Sequence, residues 1–291
     1  MRSLTVESPT KVNLALHVLG KRRDGYHELL TLFHRISLRD TLRIERKDAG
    51  GIRLLCSHPR VPKKDNLIVR AFHLLKRKYP FQGGVTVRLA KRIPVGGGLG
   101  GGSSNAASFL LAANRLLGLD LSLKELVRLA KKLGADVPFF IYGTRHALAR
   151  GRGDEIKPLT FRRRLWLVLV SDGKGISTRR VYRGIRLSEN HHSLTSLNRG
   201  IRIISNFLER GELDRAKRLL VNDLTASAER LSPSLKKTRE RLRGLQLGSF
   251  QMSGSGPTLF FIFSSRQKAF QVFRRLRNHQ RTKSVFVCHS F

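Results

Sequence analysis

The most constraining feature of the sequence is a run of six glycines within residues 96–102, interrupted only by Leu99. Glycine loses more conformational freedom on folding than any other residue and gives a core no side chain, so packing does not explain this run. A bare backbone can instead approach a ligand closely, with its N–H groups converging on an anion. The run therefore predicts a loop that binds phosphate.

Both flanks of the glycine run are strongly patterned, which argues against a flexible linker. Residues 85–89 alternate between apolar and polar as in a half-buried strand, and a helical pattern covers 106–117. Asn105 is a candidate cap for that helix. A helix start beside the loop would add its dipole to the anion site, and Ser103 and Ser104 offer hydroxyls for a phosphate or its magnesium ion.

The loop differs from the two commonest phosphate-binding motifs. It lacks the G-K-[ST] ending of a Walker A loop, and it lacks the spacing of a Rossmann G-x-G-x-x-G followed by a distant acid. A second glycine-serine turn covers residues 253–257. This turn is a candidate second wall of the same site, and an ordinary connecting turn is the alternative.

The pattern along the whole chain predicts an α+β protein with mixed sheets and helices in two domains. Two strands joined by a charged turn are predicted within residues 1–40. Ser122 and Glu125 form a capping box for a helix that ends at Gly134, and Pro138 predicts that the chain leaves helix there.

The second half of the chain predicts more helices and a strand-helix-strand ending. A composition change near residues 151–158 places the domain boundary between 1–158, the predicted ATP-binding domain, and 159–291. The elements expected after it are a buried strand at 165–170, helices near 201–208, 213–220 and 233–245, a strand at 258–263, a helix at 266–277 and a strand at 285–289.

The charge of the chain is unusual: 57 Lys and Arg stand against 20 Asp and Glu, a formal net charge of +37. Such a charge attracts nucleic acid and anionic membranes without specificity. The basic residues are scattered over nearly every segment, with only short clusters at 162–164, 239–243 and 274–277. A dedicated nucleic-acid binder concentrates its charge, so the pattern favours a basic solvated surface, with a physiological RNA or DNA partner as the alternative.

Composition also excludes several classes of protein. No stretch approaches 18 uninterrupted apolar residues, so a transmembrane helix is not expected. Cys56 and Cys288 lie far apart and outside any metal-binding pattern, which argues against a disulfide framework or a structural zinc site. The first residues do not resemble a signal peptide, and we expect a cytoplasmic protein.

Six segments in a consistent order resemble a known family, the GHMP kinases, named for galactokinase, homoserine kinase, mevalonate kinase and phosphomevalonate kinase. The three family motifs are matched at residues 8–14, 94–105 and 252–256. Further marks of one branch of the family lie at 23–29, 65–68 and 133–138. The resemblance therefore covers nearly the whole chain.

This resemblance implies an N-terminal domain like ribosomal protein S5, a ferredoxin-like C-terminal domain, and an active site between them. It also implies magnesium-assisted transfer of a phosphoryl group from ATP to the 2-hydroxyl of 4-diphosphocytidyl-2-C-methyl-D-erythritol, in the non-mevalonate route to isoprenoids. The alternatives are another GHMP kinase with a different alcohol substrate, and a basic nucleic-acid-binding protein on an S5-like fold.

The family's functional residues map onto matching positions of this sequence. Lys11 and Asp136 resemble the catalytic pair: the aspartate would accept the proton of the hydroxyl, and the lysine would keep the carboxylate ionised. The resemblance assigns no magnesium ligand. The triphosphate loop would comprise Pro94, Val95, Gly96, Gly97, Gly98, Leu99, Gly100, Gly101, Gly102, Ser103 and Ser104, and the adenine pocket Asn66 and Leu67.

The same resemblance assigns the substrate to Asn13, Tyr26 and His27. Tyr26 offers a flat face for a pyrimidine, and His27 offers a donor and an acceptor for its edge. Judged by residue type alone, Lys11 would more often be an exposed strand lysine, Asp136 a turn residue, and the Tyr26–His27 pair a hairpin flank. A pair of residues suited to bind a pyrimidine favours a nucleotide-bearing substrate over galactose, homoserine or mevalonate.

Overall fold

The structure is a computed structural model that describes residues 2–56, 58–62, 65–171, 173–186, 193–279 and 284–291. None of the helices in these ranges is long and apolar enough to cross a membrane. The strands are β1 Ser3–Lys21, β2 His27–Lys47, β3 Gly51–Cys56, β4 Gly84–Ala90, β5 His146–Gly151, β6 Glu155–Leu159, β7 Trp166–Ser171, β8 Phe250–Met252, β9 Leu259–Phe263 and β10 Ser284–His289. The helices are α1 Leu67–Lys78, α2 Gly101–Leu117, α3 Leu123–Leu133, α4 Val137–Tyr142, α5 Thr178–Arg183, α6 Leu194–Arg210, α7 Leu213–Leu219, α8 Thr225–Leu231, α9 Pro233–Gly244 and α10 Arg266–His279.

The chain forms two compact units whose segments alternate along the sequence. Unit 1 comprises Met1–Thr10, Leu38–Val95 and Gly100–Thr144. Unit 2 comprises Lys11–Ser37, Gly96–Leu99 and Arg145–Phe291. This division follows packing, and the sequence boundary between 158 and 159 stays a prediction.

The predicted N-terminal hairpin is confirmed, although its second strand is longer than expected. The backbone N–H of Arg22 donates to the Tyr26 carbonyl at 2.8 Å across the turn. Strand β2 continues to Lys47 because the alternation of buried residues continues through Leu42 and Ile44.

Unit 1 combines strands with four helices that pack against one another, α1 to α4. Within this unit β4 pairs antiparallel with the second part of β2 and parallel with β3. The capping box of α3 is confirmed: Ser122 and Glu125 bond each other's backbone N–H groups, and Gly134 is the C-terminal cap. The chain leaves helix there as predicted, but Pro138 then lies in the first turn of α4, a position that proline tolerates.

The start of α2 corrects a prediction. The helix begins at Gly101 rather than at Ala106, and Gly100 occupies its cap position. Asn105 is therefore not a cap; it is a buried residue of the second helical turn.

Unit 2 contains a four-stranded antiparallel sheet in the order β10-β7-β9-β8. Along the chain β7 is followed by helices, then by β8, β9, α10 and β10. This is the β-α-β-β-α-β order of a ferredoxin-like domain, as the family resemblance implied. One face of the sheet packs in a common core with α9 and α10, through Val168, Val170, Leu259, Phe261, Leu235, Leu242, Ala269 and Leu276.

Unit 2 also buries a pair of histidines on neighbouring strands. His34 of β2 and His146 of β5 are directly opposite in register, and their Nδ1 atoms lie 3.0 Å apart. In this hydrogen bond the Nδ1 atom of one ring must carry a hydrogen and donate, and the Nδ1 atom of the other must accept. The bond can therefore form when both rings are neutral or when only one of them is protonated, but not when both are. Burial lowers the pKa of His34 from 6.5 to about 3. The pKa of His146 also lies well below its usual value, mainly because the ring is buried and to a lesser degree because of the charge of His34.

We expect this pair to make the fold sensitive to acid. Because the folded pKa of His34 lies below the unfolded value, stability is complete above pH 6.5 and falls as the pH drops toward 3. His34 alone should remove about 2 kcal/mol from the free energy of unfolding between pH 7.5 and pH 5. Urea unfolding at the two pH values measures this. His34→Gln should make the difference between the two pH values smaller, with the contribution of His146 remaining, while His73→Gln, at an exposed site, should not change it. Equal stability at both pH values would contradict the expectation.

Candidate active site

The glycine loop lies where its sequence predicts, between strand β4 and helix α2. The first N–H groups of a helix have no partner within it, so the start of α2 presents donors and the positive end of its dipole. Gly98 and Gly100 adopt φ values of +73° and +68°, in the left-handed region that favours glycine. The glycines therefore shape the loop as well as keeping it bare.

In unit 2 the first motif contacts the middle of this loop. The ammonium of Lys11 donates to Asn13 Oδ1 at 2.5 Å and to the Gly98 carbonyl at 3.4 Å. The backbone N–H of Lys11 donates to the Leu99 carbonyl at 3.2 Å. Lys11 is 3% exposed and lies 4.9 Å from the centre of the Phe33 ring. Lys11 is thus a buried lysine held by polar contacts, and the alternative of an exposed strand lysine is wrong.

Asn13 is held in turn by strand β2. Its amide nitrogen donates to Thr31 Oγ1 at 2.9 Å, and Thr31 donates to the Ala15 carbonyl at 2.6 Å. These bonds fix the orientation of the amide, so that its oxygen is the atom that faces Lys11. The position of the lysine ammonium is therefore defined by two successive hydrogen-bonded side chains.

The second glycine-serine turn packs against the same loop. Ser253 Oγ donates to the Gly98 carbonyl at 3.0 Å and accepts from the Asn13 N–H at 3.3 Å. A Cβ atom on Gly254 would lie 2.9 Å from the Gly98 carbonyl oxygen, closer than side-chain atoms approach. The two glycine-containing segments are therefore in contact within unit 2, and the role of the second turn as a wall of the phosphate site stays a prediction.

Asn222 holds that turn in place, and sequence patterns did not reveal it. The Asn222 amide nitrogen donates to the carbonyls of Met252 and Gly254 at 2.7 and 2.9 Å, and its oxygen accepts from the Leu224 N–H at 3.0 Å. Thr178 adds a contact from another element, with its hydroxyl 2.9 Å from that of Ser255. These partners lie far apart in sequence, so no local motif signals them.

In unit 1 a buried carboxylate fixes the chain on both sides of the loop. Asp40 accepts from the N–H groups of Arg92 and Ile93 at 2.7 and 2.9 Å, and it forms an ion pair with Lys91. It also accepts from the Asn105 amide at 2.9 Å. Asp40 therefore connects the segment before the loop with helix α2 after it. Asn105 is the residue of α2 that makes this connection, rather than the cap of the helix.

The two serines that end the loop differ in their surroundings. Ser104 is buried, its hydroxyl lies 2.8 Å from that of Ser8, and it donates to the Pro9 carbonyl. Ser103 is half-buried. The hydroxyl of Ser104 thus serves the packing of β1 against α2, and Ser103 is the less buried residue of the pair.

Asn66 and Leu67 lie at the start of α1 in unit 1. Asn66 is the N-terminal cap, and its side-chain oxygen accepts from the Ile68 N–H at 2.9 Å. A Cβ atom on Gly102 would lie 3.8 Å from Leu67 Cδ1, so the two helix starts approach each other. This contact puts Leu67 beside the predicted triphosphate loop, and its role toward adenine stays a prediction.

Asp136 precedes α4, also in unit 1. It is half-buried and occupies the cap position of the helix, but its side chain makes no capping hydrogen bond. Helix α4 packs against α2, the helix that follows the glycine loop. The pairing of Asp136 with Lys11 stays a prediction.

Tyr26 and His27 lie at the end of the hairpin turn in unit 2. The Tyr26 side chain is 55% exposed, and the guanidinium of Arg152 lies 5.0 Å from its ring centre. The His27 ring lies 5.3 Å from that of Tyr182. Burial and then the charge of Lys21 lower the pKa of His27, so the imidazole is neutral near pH 7 and keeps both a donor and an acceptor.

The chain matches the family in three independent comparisons. The family models described as the N-terminal domain and the C-terminal region of GHMP kinases match residues 66–144 and 203–282. The 4-diphosphocytidyl-2-C-methyl-D-erythritol kinase of Geobacter metallireducens is 38% identical over 270 residues, which cover 92% of each protein. The protein of the same name from Chromobacterium violaceum is 40% identical over 269 residues, 92% of this chain and 89% of that protein.

Solved structures agree with these sequence matches. A crystal structure of 4-(cytidine 5'-diphospho)-2C-methyl-D-erythritol kinase superposes with a TM-score of 0.81 at 36% identity and covers 99% of this chain and 100% of its own. The homoserine kinase of Cytophaga hutchinsonii superposes with a TM-score of 0.73 at 17% identity, over 100% of this chain and 95% of its own. The second similarity is one of fold alone.

Proposed function

Because the chain belongs to the GHMP kinase family, we propose that it transfers the γ-phosphoryl group of ATP to the 2-hydroxyl of 4-diphosphocytidyl-2-C-methyl-D-erythritol. The observation that carries this proposal is the identity of 38–40% to kinases of that name along about nine-tenths of the chain. The contacts of Lys11, Gly98 and Ser253 support it, since they join one residue from each of the three family motifs within unit 2.

The glycine loop is proposed to hold the triphosphate of ATP. Phosphoryl transfer needs positioning and stabilisation of charge rather than covalent help from the protein. Backbone N–H groups at the start of α2 suit the phosphate oxygens, and the ammonium of Lys11 beside the Gly98 carbonyl adds a fixed positive charge. Asn66 and Leu67, at the start of α1, are the proposed neighbours of the adenine.

Magnesium is the proposed second cofactor, and the residues present are compatible with it. No group of three or more His, Cys, Asp or Glu side chains in the described part of the chain could hold a metal ion. Magnesium does not require such a group, because it is commonly held by substrate phosphates, water and one or two protein oxygens. Ser103 is the side-chain oxygen donor that would serve, and the ion would neutralise charge on the phosphates.

Asp136 is the proposed proton acceptor for the substrate hydroxyl. A half-buried carboxylate that does not cap its helix can accept a proton without unfolding α4. Lys11 is the proposed partner that stabilises negative charge during transfer. Asn13, Tyr26 and His27 are the proposed substrate contacts: the exposed Tyr26 ring suits a pyrimidine face, and neutral His27 suits its polar edge.

The test of the proposed function is a turnover assay with purified protein, ATP, magnesium and the cytidylylated substrate. Phosphorus NMR would identify the phosphorylated position, and the expected product carries its new phosphate on the 2-hydroxyl. Galactose, homoserine and mevalonate serve as competing alcohols. Absence of turnover by folded protein, or faster turnover of a competing alcohol, would refute the proposal.

We also propose that the enzyme acts in the cytoplasm, which is compatible with its two free cysteines, Cys56 and Cys288.

Replacing Lys11 by glutamine should lower kcat about ten- to a hundredfold, because the charge that stabilises the transferring phosphoryl group is lost. Glutamine keeps a donor for Asn13, so the fold should persist. Lys124→Gln, at an exposed position of α3, is the control and should leave kcat unchanged. Steady-state kinetics on both variants measure the effect. Equal values of kcat for the two variants would exclude a catalytic role for Lys11.

A further inference from the structure

The exposed sides of α9 and α10 form a strongly basic surface in unit 2, here called the basic helix pair. The two helices contain ten lysines and arginines and a single acidic residue, Glu240. Neither helix has an acidic residue in its first turn. This is a far denser positive charge than the chain carries on average, and the proposed kinase reaction makes no use of it.

Both helices turn their charged sides outward because their apolar sides pack on one face of the sheet. Leu235 and Leu242 of α9, and Ala269 and Leu276 of α10, are buried in a common core. The guanidinium of Arg241 donates to the carbonyl of His279, so the last turns of the two helices are adjacent. The exposed basic side chains of the pair are Lys236, Lys237, Arg241, Arg243, Arg266, Lys268, Arg274, Arg275 and Arg277.

The stability of the helices does not account for this charge. Basic residues near a helix C-terminus favour the dipole, but Lys236 and Lys268 lie near the N-terminal ends, where the dipole opposes positive charge. Arg239 and Arg243 are four residues apart on α9, a spacing at which like charges repel. Burial, and to a lesser degree the charge of Arg243, lowers the pKa of Arg239, although Glu229 opposes this effect.

Few of these cations are neutralised inside the protein. Among the described residues, Arg239 is the member of the ten that forms an ion pair, with Glu229 at 2.9 Å. The guanidinium of Arg266 lies over the Trp166 and Phe270 rings, and that of Arg277 over the Phe273 ring. Ring contacts leave the charge itself uncompensated. The surface therefore holds a cluster of cations that an anionic partner could neutralise.

The chemistry of the surface selects among anionic partners. Attachment to a membrane surface uses apolar side chains as anchors, and none of the exposed large apolar residues in the described part of the chain lies on α9 or α10. Single-stranded nucleic acid is held by stacking on exposed aromatic rings, and the surface offers none of these in the same residues. A duplex, whose bases are covered and whose phosphates are exposed, needs neither feature.

The shape of the surface favours RNA over DNA. The DNA major groove admits one helix or one two-stranded ribbon, whereas two helices that share one face of a sheet present a broad surface. Double-stranded RNA is bound through phosphates and 2′-hydroxyls across a wide, shallow minor groove. Exposed Gln267, Gln271 and Asn278 of α10 add groups that can bond 2′-hydroxyls. We propose that the basic helix pair binds the backbone of double-stranded RNA without regard to sequence, a function separate from the proposed kinase activity.

Fluorescence anisotropy with a labelled RNA duplex of about 20 base pairs tests this proposal, at salt concentrations of roughly 50 to 200 mM. The test variant replaces four exposed cations of the pair by glutamine: K236Q, R243Q, R274Q and R275Q. A matched control removes the same number of exposed charges from α1 and α3 of unit 1: R77Q, R128Q, K131Q and K132Q. Both variants lower the net charge equally, so they differ only in which surface loses its positive charges.

The expected result is a loss of affinity confined to the test variant. Each phosphate contact contributes about 0.9 to the slope of log K against log salt, so the slope should fall by about 3 to 4 units in the test variant and by less than about 1 in the control. Equal weakening of both variants would show only diffuse attraction and would overturn the proposal. So would equal binding of a DNA duplex of the same sequence, or displacement of the RNA by vesicles of phosphatidylglycerol.

A footprint on the unaltered protein keeps the test decisive if a variant folds poorly. Acetylation of lysines, read by mass spectrometry with and without the RNA duplex, should show protection of Lys236, Lys237 and Lys268. Lys131 and Lys132 should react equally in both samples. Uniform protection, or none, would contradict a defined surface. Kinase turnover of the two variants serves as the check that they are folded, and it should be unchanged because neither alters the candidate active site.

Discussion

Asp136→Asn should lower kcat by about 10²- to 10⁴-fold while the affinity for ATP changes little, because the proposed proton acceptor is lost but the triphosphate loop is not. Asparagine has nearly the same size, and the carboxylate makes no capping hydrogen bond to α4, so removing its charge should not unfold the helix. Asparagine is also well tolerated at the cap position that residue 136 occupies. The effect should therefore be on turnover rather than on folding.

Steady-state kinetics and direct ATP titration of the Asp136 variant separate these two quantities. Asp120→Asn is the matched control: Asp120 is exposed, adopts a φ of 49° that asparagine also accepts, and follows the opposite end of α2 from the glycine loop. The control should retain full turnover. A kcat for the Asp136 variant within about fivefold of the parent would mean that another group takes the proton.

Gly98→Ala should lower kcat/KM for ATP at least about a hundredfold, because the added methyl group has no room. A Cβ atom at residue 98 would lie 2.1 Å from the Ser253 carbonyl oxygen and 2.9 Å from the Gly256 nitrogen, both of them backbone atoms. Either the loop or the second turn would have to move, and the carbonyl that receives Lys11 would move with it. Displacement by about 1 Å is enough to cost this much activity.

The matched control for this prediction is Gly118→Ala, at the end of α2. Gly118 has a φ of +62°, similar to the +73° of Gly98, but a Cβ atom there would meet nothing within 4 Å. Both variants carry the cost of a left-handed alanine, about 1–2 kcal/mol, and only one carries the clash. Thermal unfolding and ATP kinetics on both variants distinguish the two effects. If Gly98→Ala is as active as Gly118→Ala, then close approach of the two glycine-containing segments is not needed for ATP use.

The glycine loop, its flanking strand and the following helix could be predicted because their signals are local. The start of α2 could not, because residues 101–105 contain glycine, serine and asparagine, which have low helix propensity. Tertiary bonds outweigh that propensity, since Ser104 and Asn105 are buried against Ser8 and Asp40. Helix α4 was missed for a related reason: a proline ends most helices but also fits the first turn of a new one.

The residues that support the candidate site through hydrogen bonds could not be predicted from the sequence, for a different reason. Asp40 and Asn222 each join segments that lie tens of residues apart, Asp40 to Asn105 and Asn222 to Met252. Neither lies in a motif, and a buried carboxylate or amide looks like any surface polar residue until the fold is known. Strands β5 and β6 also escaped detection, because their sequences lack the β-branched and aromatic residues that favour strands apart from Ile156.

The alternation of the two units along the chain has a consequence for synthesis and for engineering. The chain passes from one unit to the other five times, and Lys11–Ser37 belongs with Arg145–Phe291. During translation the early segment must therefore wait, without its partners, until the second half of the chain has left the ribosome. No single cut in the backbone yields two fragments that each contain one whole unit. A chimera made with a relative at a single junction would therefore always contain a unit whose core combines residues from both proteins.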